Sequence, residues 1–256
     1  MVIASGDYDG DGISEIAVFR QDNGLWAVRG LGTTYYGQIG DLPAPGDYDG
    51  DGITDVAIYR PGNGLWAVKT VTRLYFGGSD YLPVPGDYDG DGTCDTALFR
   101  ESNGLWTVRG ITSTWYGQAG DYPVPGDYEG VGVDDIAIFR PSSGLWAVRS
   151  VTRFYYGRDG DRPVPGIYEW YRLASRFRSP FKTDAAIFRS SSGLWAIRGL
   201  TRYYYGGSLS DAPVIGDFTS NELDETVIFR PGNGLWAIRG ETRVYYGRDG
   251  DSPVTK

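Results

Sequence analysis

Acidic residues with a fixed spacing carry the clearest chemistry in this chain. Asp7, Asp9, Asp11 and Glu15 occupy positions 1, 3, 5 and 9 of Asp-Tyr-Asp-Gly-Asp-Gly-Ile-Ser-Glu. The run returns as Asp47, Asp49, Asp51 and Asp55, and again as Asp87, Asp89, Asp91 and Asp95. Carboxylates crowded this closely repel one another unless a cation sits between them, and glycine at position 6 permits the turn that points them inward. Oxygen donors at positions 1, 3, 5 and 9, with the main-chain carbonyl of position 7 (Ile13, Ile53 or Thr93), suit a hard cation of calcium's size. An EF-hand is a poor alternative: its glutamate at position 12 is replaced by Val18, Ile58 and Leu98, and strand-forming sequence stands where helices would flank the loop. Three calcium sites are therefore expected.

Further copies depart from the pattern. In the fourth, Asp127, Glu129 and Asp135 remain but Val131 replaces the position-5 ligand. The sixth offers a weaker set, Asp217, Thr219, Asn221 and Glu225, with Glu222 in place of the turn glycine, and is a candidate fourth site. The fifth has no acidic loop and carries extra residues that include Trp170, Tyr171, Arg172, Arg176, Phe177 and Arg178. These aromatics and cations either fill the gap left by the missing ion loop or form a protrusion that binds a partner. Deletion of 170 to 178 separates the two readings, abolishing partner binding in one and folding in the other.

Composition removes other chemistry. The 256 residues include no histidine and one cysteine, so His general bases, Ser-His-Asp or Cys-His pairs, His-ligated zinc and internal disulfides are excluded. A formal charge of −9 argues against nucleic acid as a partner. No apolar run is long enough to span a bilayer, and the first residues lack the features of an export signal. Filling three calcium sites would bring the charge to about −3, so folding and metal binding are expected to be coupled.

The elements that position these loops follow from a repeat. Gly-Leu-Trp recurs with Trp26, Trp66, Trp106, Trp146, Trp195 and Trp236, at spacings of 40, 40, 40, 49 and 41 residues. A period near 40 is the length of a four-stranded propeller blade, and the helical periodicity of other repeats of this length is missing. Both faces of the second and third strands are apolar, as in Val56 to Tyr59 and Leu65 to Val68. Sheets of this kind must be sandwiched between neighbours. The fold predicted is all-β, a single six-bladed β-propeller with four antiparallel strands per blade. Its blades run over about 3–42, 43–82, 83–122, 123–162, 163–212 and 213–254. Each blade is expected to be contiguous in sequence, with Pro253-Val254 docking beside Ile3-Ala4 at the closing junction.

Asp-x-Asp-x-Asp-Gly-x-x-Asp, after Pro-x-Pro-Gly and before Ala-Val/Ile-Phe-Arg, resembles the FG-GAP/VCBS repeat, the calcium-binding blade of integrin-α-type propellers. The resemblance covers all six units, with the ion loop intact in three. It implies an extracellular propeller whose calcium loops join the first two strands of a blade, used in adhesion, ligand binding or carbohydrate recognition. Integrin-type rings usually have seven blades, against six here. Near identity of the copies points to recent duplication or engineered repetition.

The six tryptophans, and Tyr8, Tyr48, Tyr88, Tyr128, Tyr168 and Phe218, read as core. Arg20, Arg60, Arg100, Arg140, Arg189 and Arg230 read as structural, covering blade edges and bonding carbonyls or acids. A second cationic series, Arg29, Lys69, Arg109, Arg149, Arg198 and Arg239, is a candidate for lining shallow sugar pockets with tyrosines or Trp115 of the fourth strand. The functional expectation is a non-catalytic, calcium-binding, monomeric recognition, adhesion or scaffold module, secreted or on the cell surface, with a protein or glycan ligand. A multivalent lectin with sites between blades is the alternative. A polysaccharide lyase or hydrolase is more remote, because repetition disperses acidic groups rather than focusing them.

Overall fold

The computed structural model describes residues 6–169 and 181–254. Every regular element in them is a strand, arranged as six four-stranded antiparallel sheets, the blades of a propeller. The order begins with β1 (Ala17–Arg20), β2 (Leu25–Val28) and β3 (Gly32–Tyr35). Blade 2 follows with β4 (Leu42–Pro43), β5 (Ala57–Arg60), β6 (Leu65–Val68) and β7 (Thr72–Tyr75). The same succession continues from β8 (Tyr81–Pro83) to β23 (Arg243–Tyr245) and ends on β24 (Asp251–Val254).

Prolines shorten the first strand of a blade, and in blade 6, where Ile215 replaces the second proline, β20 (Ala212–Gly216) pairs without a break. Pro45 has no N–H to give, so the ladder of β4 lapses and resumes only as the single bridge Gly46 to Asp55. The two middle strands are buried on both faces, as the unbroken apolar runs require. Alternate faces meet different neighbours. Ala17, Phe19, Trp26 and Val28 of blade 1 pack on Ile58 and Ala67 of blade 2, whereas Val18 and Ala27 pack on Phe229 and Trp236 of blade 6.

All six repeat tryptophans are fully buried, each tilted against the aromatic ring of its own hairpin, as Phe19 and Trp26 are at 5.2 Å. Five indole N–H groups donate to a carbonyl ten residues on, Trp26 to Tyr36 at 2.9 Å being one. The sixth, Trp66 Nε1, is buried without a partner among the described residues. The hairpin turn depends on a glycine: Gly24 has φ of 68°, and a Cβ there would lie 2.3 Å from the Gly37 carbonyl carbon.

Blade 1 departs from the expected contiguity. Its sheet order is β24-β1-β2-β3, with Ala17 opposite Val254 and Arg20 opposite Asp251. The last strand of the chain thus takes the inner position expected of Ile3-Ala4, and the closing blade is built from both ends. Asp251 explains the choice, because it gives Arg20 an ion-pair partner at 2.6 Å where the N-terminal segment would offer Met1 at the equivalent position. Residues 1–5 lie outside the described residues.

Candidate functional site

Each ion loop is held by its own backbone. The Asp7 carboxylate accepts Gly10 N at 2.6 Å and Gly12 N at 2.8 Å, and Glu15 accepts Tyr8 N at 2.6 Å. Asp47 and Asp87 repeat the first pattern, and Asp55 and Asp95 the second. Three loops gather their acids: the groups are Asp7, Asp9, Asp11 and Glu15, then Asp47, Asp49 and Asp55, then Asp87, Asp89 and Asp95, each with carboxylate oxygens within 4.8 Å of one another. Burial, then the charges of Asp9, Asp7 and Asp11, push the Glu15 carboxyl up to about 7 against the hydrogen bond from Tyr8 N. Asp55 and Asp95 are raised in the same way.

This donor set fits a cation that takes only oxygen ligands: hard anionic oxygens converge, and no ion pair among the described residues relieves their mutual repulsion. Asp51 and Asp91 stand apart from the convergent groups. Each turns an oxygen to the backbone N–H of position 7, Ile53 or Thr93, at 2.8 Å. Asp11 makes the same bond with Ile13 N at 2.8 Å and still joins its group, so this bond does not by itself separate the position-5 acids from the rest.

The fourth and sixth loops keep the turn and change the donor set. Asp127 still accepts Gly130 N and Gly132 N, each at 2.7 Å, but Val131 is exposed and supplies no ligand. In the sixth loop Ser220 and Glu222 hold φ of 59° and 62°, the left-handed backbone that glycines adopt in the others. There Thr219 Oγ1 and Asn221 Nδ2 donate to Glu225 at 2.9 and 3.2 Å, so neutral donors compensate the carboxylate that cations would serve elsewhere. The fifth loop retains Asp184, which accepts Tyr168 N at 3.2 Å. Trp170, Tyr171, Arg172, Arg176, Phe177 and Arg178 lie outside the described residues.

The loops are tied to one another. Thr54 N donates to Asp7 O, Cys94 N to Asp47 O, Asp134 N to Asp87 O and Thr183 N to Asp127 O, each at 2.6 Å. Asp224 N to Ile167 O at 2.7 Å and Ser14 N to Asp217 O at 2.6 Å complete the circle. A cavity of about 380 Å³ lies inside this belt, lined by Pro85, Pro123, Pro125 and Pro165 together with several belt acids. Those acids serve the scaffold: Asp134 accepts Asp87 N at 3.1 Å and Asp224 accepts Ile167 N at 2.7 Å.

At the opposite end of the blades, the repeated arginines have partners that sequence reasoning missed. Arg60 holds Asp41 through two bonds of 2.7 and 2.8 Å, and the same fork joins Arg140 to Asp121, Arg189 to Asp161, Arg230 to Asp211 and Arg20 to Asp251. All five aspartate side chains are fully buried. The signal was an aspartate two residues before proline, in five of six linkers. Blade 3 has Tyr81 there instead, and Arg100 bonds its hydroxyl and covers its ring at 4.5 Å. Tyr59, where the other blades have phenylalanine, supplies the missing acceptor: its hydroxyl takes Gly78 N at 2.8 Å, the role Asp41 plays for Gln38 N.

Members of the second cationic series sit between blades, where Arg149 lines a cavity of about 320 Å³ with Tyr88 and Ile111. Arg198 covers the Phe154 ring at 3.9 Å and Arg239 the Tyr203 ring at 3.7 Å, capping aromatic groups of the preceding blade. The exposed rings form a separate set, one per blade: Tyr35, Tyr75, Trp115, Tyr155, Tyr204 and Tyr245, between 71% and 75% exposed. No helix among the described residues is long and apolar enough to cross a membrane. Comparison with protein-family models, with curated proteins and with solved structures yields no match.

Proposed function

We propose that this protein is a non-catalytic, calcium-stabilised propeller of the FG-GAP/VCBS kind, acting outside the cell as a recognition or scaffold module. The observation that carries the reading is the convergence of carboxylates in three consecutive loops, each anchored by backbone N–H groups. Bound calcium would supply charge neutralisation there, with Asp7, Asp9, Asp11 and Glu15 and their counterparts as ligands. Asp127, Asp134, Asp184, Asp217, Asp224 and Glu225 of the belt accept backbone donors, which favours support over catalysis.

Calorimetric titration of EDTA-stripped protein tests the reading. Three calcium ions per chain are expected, and each site should add about 2.7 kcal/mol of stability when free calcium is a hundred times the dissociation constant. Asp47→Asn with Asp49→Asn should leave two. Absence of both binding heat and thermal stabilisation would refute it. A second reading, multivalent sugar binding, is favoured by the six exposed aromatic rings on the outermost strands.

A further inference from the structure

The six rims look alike in sequence but divide into two classes by whether their linkers carry an additional carboxylate. In blade 2, Arg60, Leu65 and Tyr75 stand opposite one another on adjacent strands and so share one sheet face. Arg73 lies two residues before Tyr75 on that face and is exposed. The face looks toward blade 1, whose half-buried Tyr36 packs in the cluster that holds Leu65. An exposed ring, a half-buried ring and two guanidinium groups therefore belong to the two faces that meet at this blade junction. Arg60 is fixed in place by Asp41, which occupies its Nε and Nη2 and leaves Nη1 unused by that fork.

Blades 4 and 6 repeat the set with Arg140, Arg153 and Tyr155, and with Arg230, Arg243 and Tyr245. In these three blades neither the hairpin turn nor the linker arriving from the preceding blade contains a carboxylate, apart from the buried partner of the arginine. Blades 1, 3 and 5 each carry a carboxylate in that linker, although Arg248 and Arg158 stand beside two of these acids and blade 5 keeps the outer arginine as Arg202. Their linkers carry Asp249, Asp80 and Asp159, the turns of blades 1 and 3 add Asp22 and Glu101, and Thr33 and Ser113 replace the outer arginine in those two. Exposure divides in the same way: the clamped arginine is 26%, 26% and 35% exposed in blades 2, 4 and 6, against 16% and 18% in blades 1 and 5.

We propose that the rims of blades 2, 4 and 6 are three equivalent sites for a carboxylated saccharide. The inference rests on the sugar-binding reading and names its ligand class and residues. A pyranose face stacks on Tyr75, Tyr155 or Tyr245, and its carboxylate meets the clamped arginine and the outer arginine. Charge complementarity selects this occupant, because an excess of positive charge beside a flat apolar ring suits a uronic acid and not a neutral sugar. Sites on every second blade suit a repeating polymer, which engages more than one at once.

The test is binding of oligogalacturonate, with a neutral galactose oligomer and polyglutamate as competitors, each in calcium and in EDTA. Three oligogalacturonate sites per chain are expected, at least tenfold preferred over both competitors and weakened by salt. The triple variant Tyr75→Ala, Tyr155→Ala, Tyr245→Ala should lose at least tenfold in affinity, as should Arg73→Glu, Arg153→Glu, Arg243→Glu. The control triple Tyr35→Ala, Trp115→Ala, Tyr204→Ala should stay within twofold of wild type, and circular dichroism should confirm that all variants fold. Equal binding of neutral sugar or polyglutamate, or an equal loss in the control triple, would overturn the inference while leaving a surface that binds. No binding to any sugar on a glycan array would overturn the sugar-binding reading as well, and leaves the calcium titration to judge the scaffold independently.

Discussion

Asp161→Asn probes the ion pairs that lock each blade to its inner strand. The Asp161 side chain is fully buried, and it binds Arg189 at 2.6 and 2.8 Å and Arg158 N at 3.0 Å. Asparagine keeps one acceptor, turns the other oxygen into a donor facing the guanidinium, and leaves a positive charge without its counter-ion. Breaking a buried pair from one side costs about 3–5 kcal/mol. Arg189 keeps 18% of its side chain in water, which screens the orphaned charge and lowers the expectation to about 2–3 kcal/mol. Urea unfolding with calcium held constant measures it: at a slope of roughly 3 kcal/mol/M the midpoint should fall by about 0.7–1 M. Adding Arg189→Met removes the orphan and should recover half or more of the loss. A single-variant effect under about 0.5 kcal/mol, or a double variant no better than the sum of its parts, would refute the view that these forks hold the blades.

Blade 3 offers the converse experiment. Tyr81→Asp with Tyr59→Phe rebuilds the common fork on Arg100 and should match or exceed wild-type stability, whereas Tyr81→Asp alone places its new carboxylate beside the Tyr59 hydroxyl that fills its position; calorimetric melting of the three proteins decides between them. A pH dependence follows from Asp211. Burial would raise its carboxyl, but the Arg230 bond and the Ser208 and Gly207 N–H groups outweigh burial and hold it below the ordinary 3.8. A depressed carboxyl contributes stability that is present above 3.8 and lost as pH falls through its folded value. Asp211→Asn should therefore be less stable at neutral pH and show a shallower loss in acid, as read by urea midpoints across pH 2 to 6; an unchanged acid slope would count against the assignment.

The architecture was legible because each copy repeats the same demand. Gly-Leu-Trp at a period near 40, strands apolar on both faces and an acidic loop before most hairpins admit few other solutions, and the burial of all six tryptophans agrees. The clasp was half legible. The arginines stood out as a series, but their aspartates sat in linkers that read as glycine-rich spacers, and nothing local reveals that Asp41 will meet Arg60 nineteen residues later. The exchange at Tyr59 and Tyr81 was hidden for the same reason, since each change looks harmless until the two side chains are seen across one junction. Contiguous blades were the natural expectation from a repeat; pairing of β24 with β1 depends on which end of the chain offers Arg20 a counter-charge, a comparison made only in three dimensions. The linker carboxylates that distinguish the rims were visible in the letters, but only the shared face of Arg60, Leu65 and Tyr75 shows which letters to compare.

The belt that joins the ion loops has a direction. Each blade gives an N–H to the one before it and a carbonyl to the one after, so the contact is head-to-tail and every junction is chemically the same sentence spoken in one sense around the circle. Contacts of that kind close only when the turn per unit divides a full rotation. A piece containing three consecutive blades would end with a donor at one side and an acceptor at the other, matching the ends of an identical piece. Two such halves would complete the circle without a covalent link, and a mixture of halves from different variants would yield hybrid rings in statistical proportion. The propeller can therefore be regarded as a ring oligomer whose subunits happen to share one chain.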